Sequence, residues 1–350
     1  MSPALKAIFA AAAVGIATAM VFKGNSQNEF VRLDDYDYVC RNEHIREGLT
    51  PSMVAWAFKD AGYAANWHPL TWISHALDVS VARHFKWDIY DEDNCLKHRG
   101  QLARLAHAEN IALHAVNAAL LFLLVWTILG HYGEPVSDES RLLVAGFAAL
   151  VWSLHPLRVE VVAWASERKE LLSVFFMLLG MLCYIWRRTI GYIISLVAFT
   201  LALLAKPVAI SLPVVFFAWD WVILRRSVGK ALSKCIPFVA LAVAAAVMTL
   251  LAQKEALTQG EEFSWAVRAG CALSAPIVYL RQTIWPFGLS ASYPMPDGFW
   301  GVASSVGIVL VLLMAAACIL WLMKPSKPLL IAAFAVAWCY IGLVPMLGIV

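Results

Sequence analysis

The sequence predicts an all-α polytopic membrane protein, and two observations carry this prediction. The chain has 350 residues, of which 61% are hydrophobic and only 15% are charged, and its mean hydropathy is +0.70. A soluble domain is nearer half apolar and about a quarter charged. The apolar residues also fall in runs long enough to cross a bilayer as helices. The formal net charge of +3 gives no reason to expect a nucleic-acid partner.

Nine apolar runs are candidate membrane spans. The first is interpreted as a retained helix and not as a cleaved signal peptide, because it is long enough to span and many spans follow it. We place the spans at about 4–22, 104–129, 142–157, 170–186, 190–205, 208–223, 236–252, 302–323 and 328–349.

The basic residues in the short turns predict the orientation, because cytosolic loops are enriched in Lys and Arg. Arg187 and Arg188 occupy one turn, and the other basic turns are 225–234 and 324–327. A cytosolic N-terminus with nine spans places all three turns in the cytosol. The segments of about 23–103 and 253–301 then face the extracytoplasmic side. The second of these contains an amphipathic stretch, 263–285, which we expect at the membrane surface.

Asp34 and Asp35 form an adjacent carboxylate pair just after the first apolar run. Apolar neighbours such as Phe30 and Leu33 would reduce the hydration of a carboxylate near the membrane plane, which makes it a better base. The pair is therefore a candidate for taking a proton from an acceptor or for holding a metal. The alternative is a solvated acidic turn or a helix cap.

A second candidate segment is 66–78, in which His68, His75 and Asp78 have spacings that allow one helical face. This arrangement could bind a metal. Histidines that cap a helix or pack at an interface are the more common explanation.

Further ionisable residues gather at the predicted extracytoplasmic ends of later spans. Charges at membrane depth usually face a cavity, a partner or a ligand. Arg168 and Lys169 begin one span and could neutralise a phosphate, although pairing with nearby glutamates would also explain them. Lys206, before Pro207, could supply a second cation, or it could simply extend its ammonium to the interface.

These segments resemble, in their order, a known family. The matching segments are FVRLDD at 30–35 with Asn42 after it, NWHPLTW at 66–72, HP at 155–156, EVVAW at 160–164, ERKELLS at 167–173, LAKP at 204–207, YP at 293–294 and GLVP at 342–345. The family comprises bacterial relatives of the transmembrane and tetratricopeptide-repeat protein O-mannosyltransferases, in the GT-C class of membrane glycosyltransferases. The resemblance covers nearly the whole chain.

The resemblance implies a single GT-C-like membrane domain over 1–350, with a large first extracytoplasmic loop that carries the acidic motif. It also implies a bacterial inner-membrane enzyme with a periplasmic active site. Such an enzyme moves a sugar, here a hexose such as mannose, from a polyprenyl-phosphate donor to a Ser or Thr hydroxyl of an exported protein, with inversion. The alternatives are a glycan or lipid acceptor, a lipid-linked sugar transporter and a non-catalytic homologue.

Residue roles follow from the same resemblance. Asp34 is the expected base, because related membrane mannosyltransferases use the first residue of an acidic pair. Asp35 would orient the acceptor or, with His68, bind a divalent metal such as Mg or Mn. The residues expected to bind the donor phosphate are Arg168 first, then Lys206 and Lys169. The residues expected to position donor or acceptor are His68, His155 and Glu160.

The sequence departs from the family pattern in two respects. It has no tetratricopeptide repeats, and it stops at Val350, where relatives continue into another outer loop and more helices. The resemblance therefore predicts a truncated or a naturally short form. A transporter would be expected to carry an internal repeat and mid-membrane ionisable residues. The sequence contains no such repeat, and its ionisable residues gather at one membrane face, which favours surface chemistry.

Overall fold

A computed structural model of the chain describes residues 1–60, 62–91, 96–97, 99–131, 136–186, 188–254, 265–290 and 307–309. Within these ranges the chain is mostly helical and forms no β-strand, and an isolated bridge joins Tyr90 to Leu96. The predicted all-α class is therefore confirmed for this part of the chain.

The chain divides into two compact units, described here separately. The first comprises Met1–Ala209 and Ala240–Gln253, and the second comprises Ile210–Val239 and the described residues from Lys254 onward. The helices up to residue 209 are α1 (Pro3–Phe22), α2 (Pro51–Lys59), α3 (Pro69–His84), α4 (Gln101–Gly130), α5 (Asp138–Ser153), α6 (Arg158–Ala163), α7 (Arg168–Ile185) and α8 (Thr189–Ala205). The later helices are α9 (Leu212–Ala218), α10 (Val228–Ala252) and α11 (Trp265–Ile284).

Among the described residues, three helices are long and apolar enough to cross a membrane. They are Pro3–Gln27, which is α1 with its following turn, and the helices α4 and α10. Two shorter apolar helices cover Thr189–Ala205 and Pro207–Ile223. The predicted spans at 302–323 and 328–349 lie outside the described residues, except for 307–309. Membrane-spanning character is therefore supported by length and composition, while the nine-span topology stays a prediction.

Helix starts follow from capping chemistry. The Ser2 side chain accepts a hydrogen bond from the Leu5 N–H at 3.3 Å, and the Thr50 side chain accepts one from the Met53 N–H at 3.1 Å. In both cases a proline follows the cap, where its fixed φ suits the first helical turn. These caps define where α1 and α2 begin.

Small residues allow α1, α4 and α5 to pack closely. A Cβ placed on Gly15 of α1 would lie 3.0 Å from the Ala115 carbonyl oxygen of α4. Thr18 of α1 and Ser153 of α5 share a hydrogen bond of 3.0 Å. Small residues and hydroxyl contacts of this kind are typical of helix association in membranes. The buried residues of this core are Ala7, Ala11, Val14, Ala118, Phe122, Ala145 and Ala149.

The polar segment after α1 is a folded region with its own apolar core. Its central residues include Tyr38, Trp72 and Ala165, which come from three separate parts of the chain. The ring centroids of Tyr38 and Trp72 are 4.3 Å apart. The core therefore holds the Asp34 loop, the start of α3 and the segment before α7 in one place.

Helix α8 ends beside the start of α7, because these two helices pack along each other as consecutive elements. The Ser173 hydroxyl donates to the Lys206 carbonyl at 3.2 Å, and the Thr71 hydroxyl donates to the Ala205 carbonyl at 3.0 Å. These bonds satisfy carbonyls that a helix end would otherwise leave unpaired. Lys206 itself is extended, with φ −159° and ψ 131°, as expected for a residue before proline. Lys206 is thereby held near the N-terminus of α7.

Candidate functional site

Five ionisable side chains form a continuous ion-paired group, which we call the charge cluster: Asp34, Glu167, Lys169, Glu170 and Lys206. The Lys169 ammonium lies 3.1 Å from an Asp34 carboxylate oxygen and 3.0 Å from one of Glu167. The Lys206 ammonium lies 3.4 Å from Glu167 and 3.0 Å from Glu170. Residues from the Asp34 loop, from the start of α7 and from the end of α8 therefore meet at one site, as a shared active site would require.

Asp34 is the accessible member of the charge cluster. Its side chain is 52% exposed, whereas that of Lys169 is only 7% exposed. Asp34 lies at the start of a helical turn that continues into a wider π-type turn, Tyr36–Cys40. An incoming molecule can therefore reach the Asp34 carboxylate beside the buried Lys169 ammonium.

Tyr38 completes the surroundings of Lys169. The Lys169 ammonium lies 4.5 Å from the centroid of the Tyr38 ring, which is within the range of a cation–π contact. Sequence reasoning did not identify Tyr38. Its spacing of four residues from Asp34 was an available clue, because residues four apart in a helical turn lie on one face.

Glu167 and Lys206 both keep their charges within the cluster. Burial acts to raise the pKa of Glu167, but Lys206 and Lys169 together hold that pKa below its usual range. Burial acts to lower the pKa of Lys206, and Glu170 and Glu167 outweigh it and raise that pKa. An ammonium has three N–H donors, and Lys206 uses two of them on these glutamates. Among the described residues these two glutamates are the partners of the Lys206 ammonium, so its third donor is available to a ligand.

Arg168, which the sequence predicts first for the donor phosphate, lies inside the fold and pairs with carboxylates. Its side chain is 1% exposed and contacts Asp78 at 2.6 Å and Glu109 at 2.9 Å. Its Nε–H donates to the Asn110 side chain at 3.2 Å, and its Nη2 donates to the Ala106 carbonyl at 3.0 Å. These contacts direct the guanidinium at protein groups inside the fold, and its phosphate-binding role stays a prediction. Arg168 joins α3, α4 and α7.

Asp35 is held by backbone hydrogen bonds next to the charge cluster. It is buried, and its carboxylate accepts hydrogen bonds from the backbone N–H groups of Val31 at 3.0 Å, Ala165 at 3.3 Å and Ser166 at 2.8 Å. A carboxylate with three backbone donors is occupied as an acceptor. Asp35 therefore anchors the Asp34 loop to the segment before α7. Its roles in orienting the acceptor or binding a metal stay predictions.

His68 is buried at the N-terminus of α3, and its Nδ1 atom lies 3.1 Å from the Tyr38 hydroxyl. Burial, followed by the charges of Lys169 and Lys206, lowers the pKa of His68 to about 3. The ring is therefore neutral at physiological pH. Within the described ranges no group of three or more His, Cys, Asp or Glu side chains is arranged to hold a metal ion.

His155 lies in the connection between α5 and α6, and Glu160 lies in α6. His155 Nδ1 accepts a hydrogen bond from the Leu157 N–H at 3.2 Å, which stabilises the turn before α6. Glu160 is exposed, and partial burial and the nearby charge of Glu167 raise its pKa. Glu160 is therefore near the charge cluster, while the Nδ1 atom of His155 is used within its own turn. Their predicted positioning roles stay predictions.

Arg158, which was not among the predicted site residues, interacts with the cluster. Burial lowers its pKa, and the negative charge of Glu170 opposes that effect. Its guanidinium lies 5.4 Å from the Trp152 ring centroid. The three carboxylates and two lysines of the charge cluster carry one net negative charge; Arg158 adds a positive group nearby, and Glu160 adds a further carboxylate.

The neutral state of His68 predicts a pH-dependent stability. The folded protein holds His68 at a pKa of about 3, whereas the unfolded chain has the ordinary value of about 6.5. The unfolded state therefore binds the proton first as pH falls. We expect the free energy of unfolding to decrease below about pH 6.5, by up to about 1.4 kcal/mol per pH unit for this group.

Thermal unfolding of the detergent-solubilised protein at about pH 7.5 and about pH 5 tests this expectation. His68→Gln has no titrating ring and can still accept from Tyr38, so its loss of melting temperature over this interval should be smaller than that of the wild type. An equal loss in both proteins would contradict the assignment.

Comparison of the chain with protein-family models, with curated proteins and with solved structures finds no match. The geometry of the charge cluster and the chemistry of its residues are therefore the basis for a function.

Proposed function

We propose that the protein is a membrane glycosyltransferase of the GT-C class, which moves a hexose such as mannose from a polyprenyl-phosphate donor to a hydroxyl acceptor, with Asp34 as the base. The observation that carries the proposal is the half-exposed Asp34 carboxylate 3.1 Å from the buried Lys169 ammonium, with Lys206 joined to Lys169 through Glu167. An accessible base beside two ammonium groups is suited to a reaction that removes a proton and releases a phosphate.

The proposed reaction is a single displacement at the anomeric carbon of the sugar. Asp34 takes the proton of the acceptor hydroxyl while the acceptor oxygen forms its bond to that carbon. The bond between the carbon and the phosphate oxygen breaks, and its electron pair leaves with the polyprenyl phosphate. The configuration at the anomeric carbon is inverted. Asp34 becomes neutral in this step, and negative charge grows on the phosphate.

Lys169 is positioned to connect these two charge changes. In the resting site its ammonium is shared between Asp34 and Glu167. Protonation of Asp34 removes the negative charge on one side of this ammonium. The positive charge of Lys169 is then less compensated when the phosphate leaves, which supports electrostatic stabilisation of the departing group. Lys206, with its remaining N–H donor, is the second phosphate-binding cation.

The ion pairs of the charge cluster predict how an anion would bind there. Because both ammonium groups of the charge cluster are already paired with carboxylates, a bound phosphate would compete with a carboxylate for an ammonium. Asp34 is the carboxylate best placed to give way, since it is 52% exposed while Glu167 is 14% exposed. Binding of the phosphate would then also release the Asp34 carboxylate from its ion pair with Lys169, so that Asp34 can act as the base.

We place this site on the extracytoplasmic side of a bacterial inner membrane, with the N-terminus in the cytosol and an exported protein as acceptor. The support is the charge of the short turns and the sequence resemblance. The apolar helices supply the surroundings for the prenyl chain.

Lys206→Met should weaken binding of a polyprenyl-phosphate sugar by roughly 10- to 100-fold, because one charged hydrogen bond to phosphate is worth about 1.5–3 kcal/mol. Titration of the purified protein in nanodiscs with such a donor measures this affinity. Lys59→Met, which removes an exposed lysine from the same polar segment, is the matched control and should bind as the wild type does.

Formation of the glycosylated peptide and release of polyprenyl phosphate should be followed in the same preparation with a Ser- or Thr-containing acceptor peptide. Equal donor affinity for Lys206→Met and Lys59→Met would reject the phosphate role of Lys206. Absence of both donor binding and transfer in the wild-type protein would reject the glycosyltransferase proposal as a whole.

A further inference from the structure

Tyr38 and His68 form a buried pair beside the charge cluster. The Tyr38 side chain is fully enclosed, with 2% of the residue exposed, and His68 is 4% exposed. The Tyr38 hydroxyl lies 3.1 Å from His68 Nδ1. The two residues are 30 positions apart in the chain, so the apolar core of the polar segment brings them together.

The direction of this hydrogen bond follows from what a buried phenol needs. A buried O–H that donates to nothing loses the hydrogen bond it had in water, which is costly. His68 Nδ1 is the acceptor that the described part of the protein offers to the Tyr38 hydroxyl. Burial raises the pKa of Tyr38, so its proton is retained. The hydroxyl therefore donates, and Nδ1 is the unprotonated nitrogen of the ring.

The other ring nitrogen then carries the proton. In a neutral imidazole one nitrogen donates and the other accepts, so His68 presents Nε2–H. Among the described residues, Nδ1 is the ring atom with a hydrogen-bond partner, and Nε2 is left for a ligand.

The position of the ring indicates which ligand it serves. The Lys169 ammonium lies 4.5 Å from the centroid of the Tyr38 ring, and the hydroxyl of that ring lies 3.1 Å from His68 Nδ1. The charges of Lys169 and Lys206 both act to lower the pKa of His68. A third positive charge there would be repelled, whereas a neutral N–H donor adds a hydrogen bond to an anion without that cost. Phosphate oxygens are strong acceptors for such a donor.

We propose that Tyr38 is a positioning residue which holds His68 in its neutral Nε2–H form, so that His68 donates a hydrogen bond to a phosphate oxygen of the donor lipid between Lys169 and Lys206. The identity of this ligand as a prenyl phosphate rests on the proposed function. The protonation state of His68 does not, and it can be measured without any transfer activity.

The first experiment determines the tautomer. Magic-angle-spinning NMR of full-length protein with isotope-labelled histidine in lipid bilayers distinguishes the two neutral forms. The chain has nine histidines, and the spectrum of His68→Gln identifies the signal of His68 by its absence. We expect a single neutral Nε2–H species from about pH 5 to about pH 8. In Tyr38→Phe, which removes only the hydroxyl, we expect a mixture of both neutral tautomers.

The second experiment measures binding of a short-chain prenyl monophosphate to the same proteins. His68→Leu, which has no donor, should bind about tenfold more weakly. His68→Gln, which retains an N–H near the position of Nε2, should recover most of the affinity. Tyr38→Phe should lie between the wild type and His68→Leu. Inorganic phosphate at the same concentration should compete weakly, because it lacks the prenyl chain.

Each outcome decides a part of the proposal. A protonated Nδ1 in the wild type, or an unchanged tautomer in Tyr38→Phe, would overturn the positioning role of Tyr38. Equal weakening by His68→Gln and His68→Leu would show that the ring acts through packing and would overturn the donor role. Full competition by inorganic phosphate would overturn the lipid assignment. If the tautomer and the order of affinities are as predicted but no sugar transfer is detected, this inference is retained and only the transferase reaction is rejected.

Discussion

Asp34→Asn is expected to lower sugar transfer by at least roughly 10²-fold while leaving the protein folded and inserted in the membrane. An amide of the same shape cannot take the acceptor proton, and general-base catalysis contributes about 10²- to 10⁴-fold. The fold should tolerate the change, because Asp34 is half-exposed and exposed ion pairs contribute only about 0–1 kcal/mol. Transfer by the purified variant with a polyprenyl-phosphate sugar is the measurement.

Asp37→Asn is the matched control for this variant. Asp37 is an exposed carboxylate three residues later in the same loop, and the Tyr63 hydroxyl bonds its backbone carbonyl. We expect the activity of Asp37→Asn to stay near that of the wild type. Full turnover by Asp34→Asn, or equal losses in both variants, would reject Asp34 as the base.

Arg168→Met is expected to destabilise the protein by about 3–5 kcal/mol, the cost of removing one partner from a buried ion pair. The Asp78 side chain is 3% exposed, and without the guanidinium its charge would be buried and unpaired. Chemical unfolding in detergent, followed by tryptophan fluorescence, measures the loss. Donor affinity measured on the same variant tests the sequence-based prediction that Arg168 binds the donor phosphate.

Arg83→Met supplies the comparison, because Arg83 forms an ion pair with Glu47 in which both side chains are largely exposed. The free energy of unfolding of Arg83→Met should fall by less than about 1 kcal/mol. The double variant Arg168→Met with Asp78→Asn should be more stable than Arg168→Met alone, because it removes the unpaired buried charge. Arg168→Met could instead be as stable as Arg83→Met and bind the donor more weakly. That outcome would support the phosphate-binding role of Arg168.

Several features of the candidate site were predictable from local sequence. Asp34, Lys169 and Lys206 were all expected on one side of the membrane, and the structure brings these three into one ion-paired cluster. Long apolar runs and the basic turns between them were sufficient for that expectation. The alternative given for Lys169, pairing with a nearby glutamate, also proves to be part of the site, since Glu167 lies 3.0 Å away.

Other features depended on contacts between distant parts of the chain. Tyr38 was missed because its partner, His68, is 30 residues away, and no local pattern connects them. Lys206 meets Glu170 only because α8 packs back along α7 and ends beside its start. The effect of the Glu170 charge on Arg158 likewise depends on the folded arrangement.

The sequence by itself determined the helical class, the apolar character of the long helices and the presence of ionisable residues near their ends, because composition and period are local properties. It could not separate Asp34 from Asp35, or Lys169 from Arg168. Neighbouring residues in a helical turn point about 100° apart, and the packing partners decide which direction leads inward. Asp35 turns to the backbone of Ala165 and Ser166, and Arg168 turns to Asp78. Asp34 and Lys169 therefore remain together at the site, because long-range contacts occupy their neighbours.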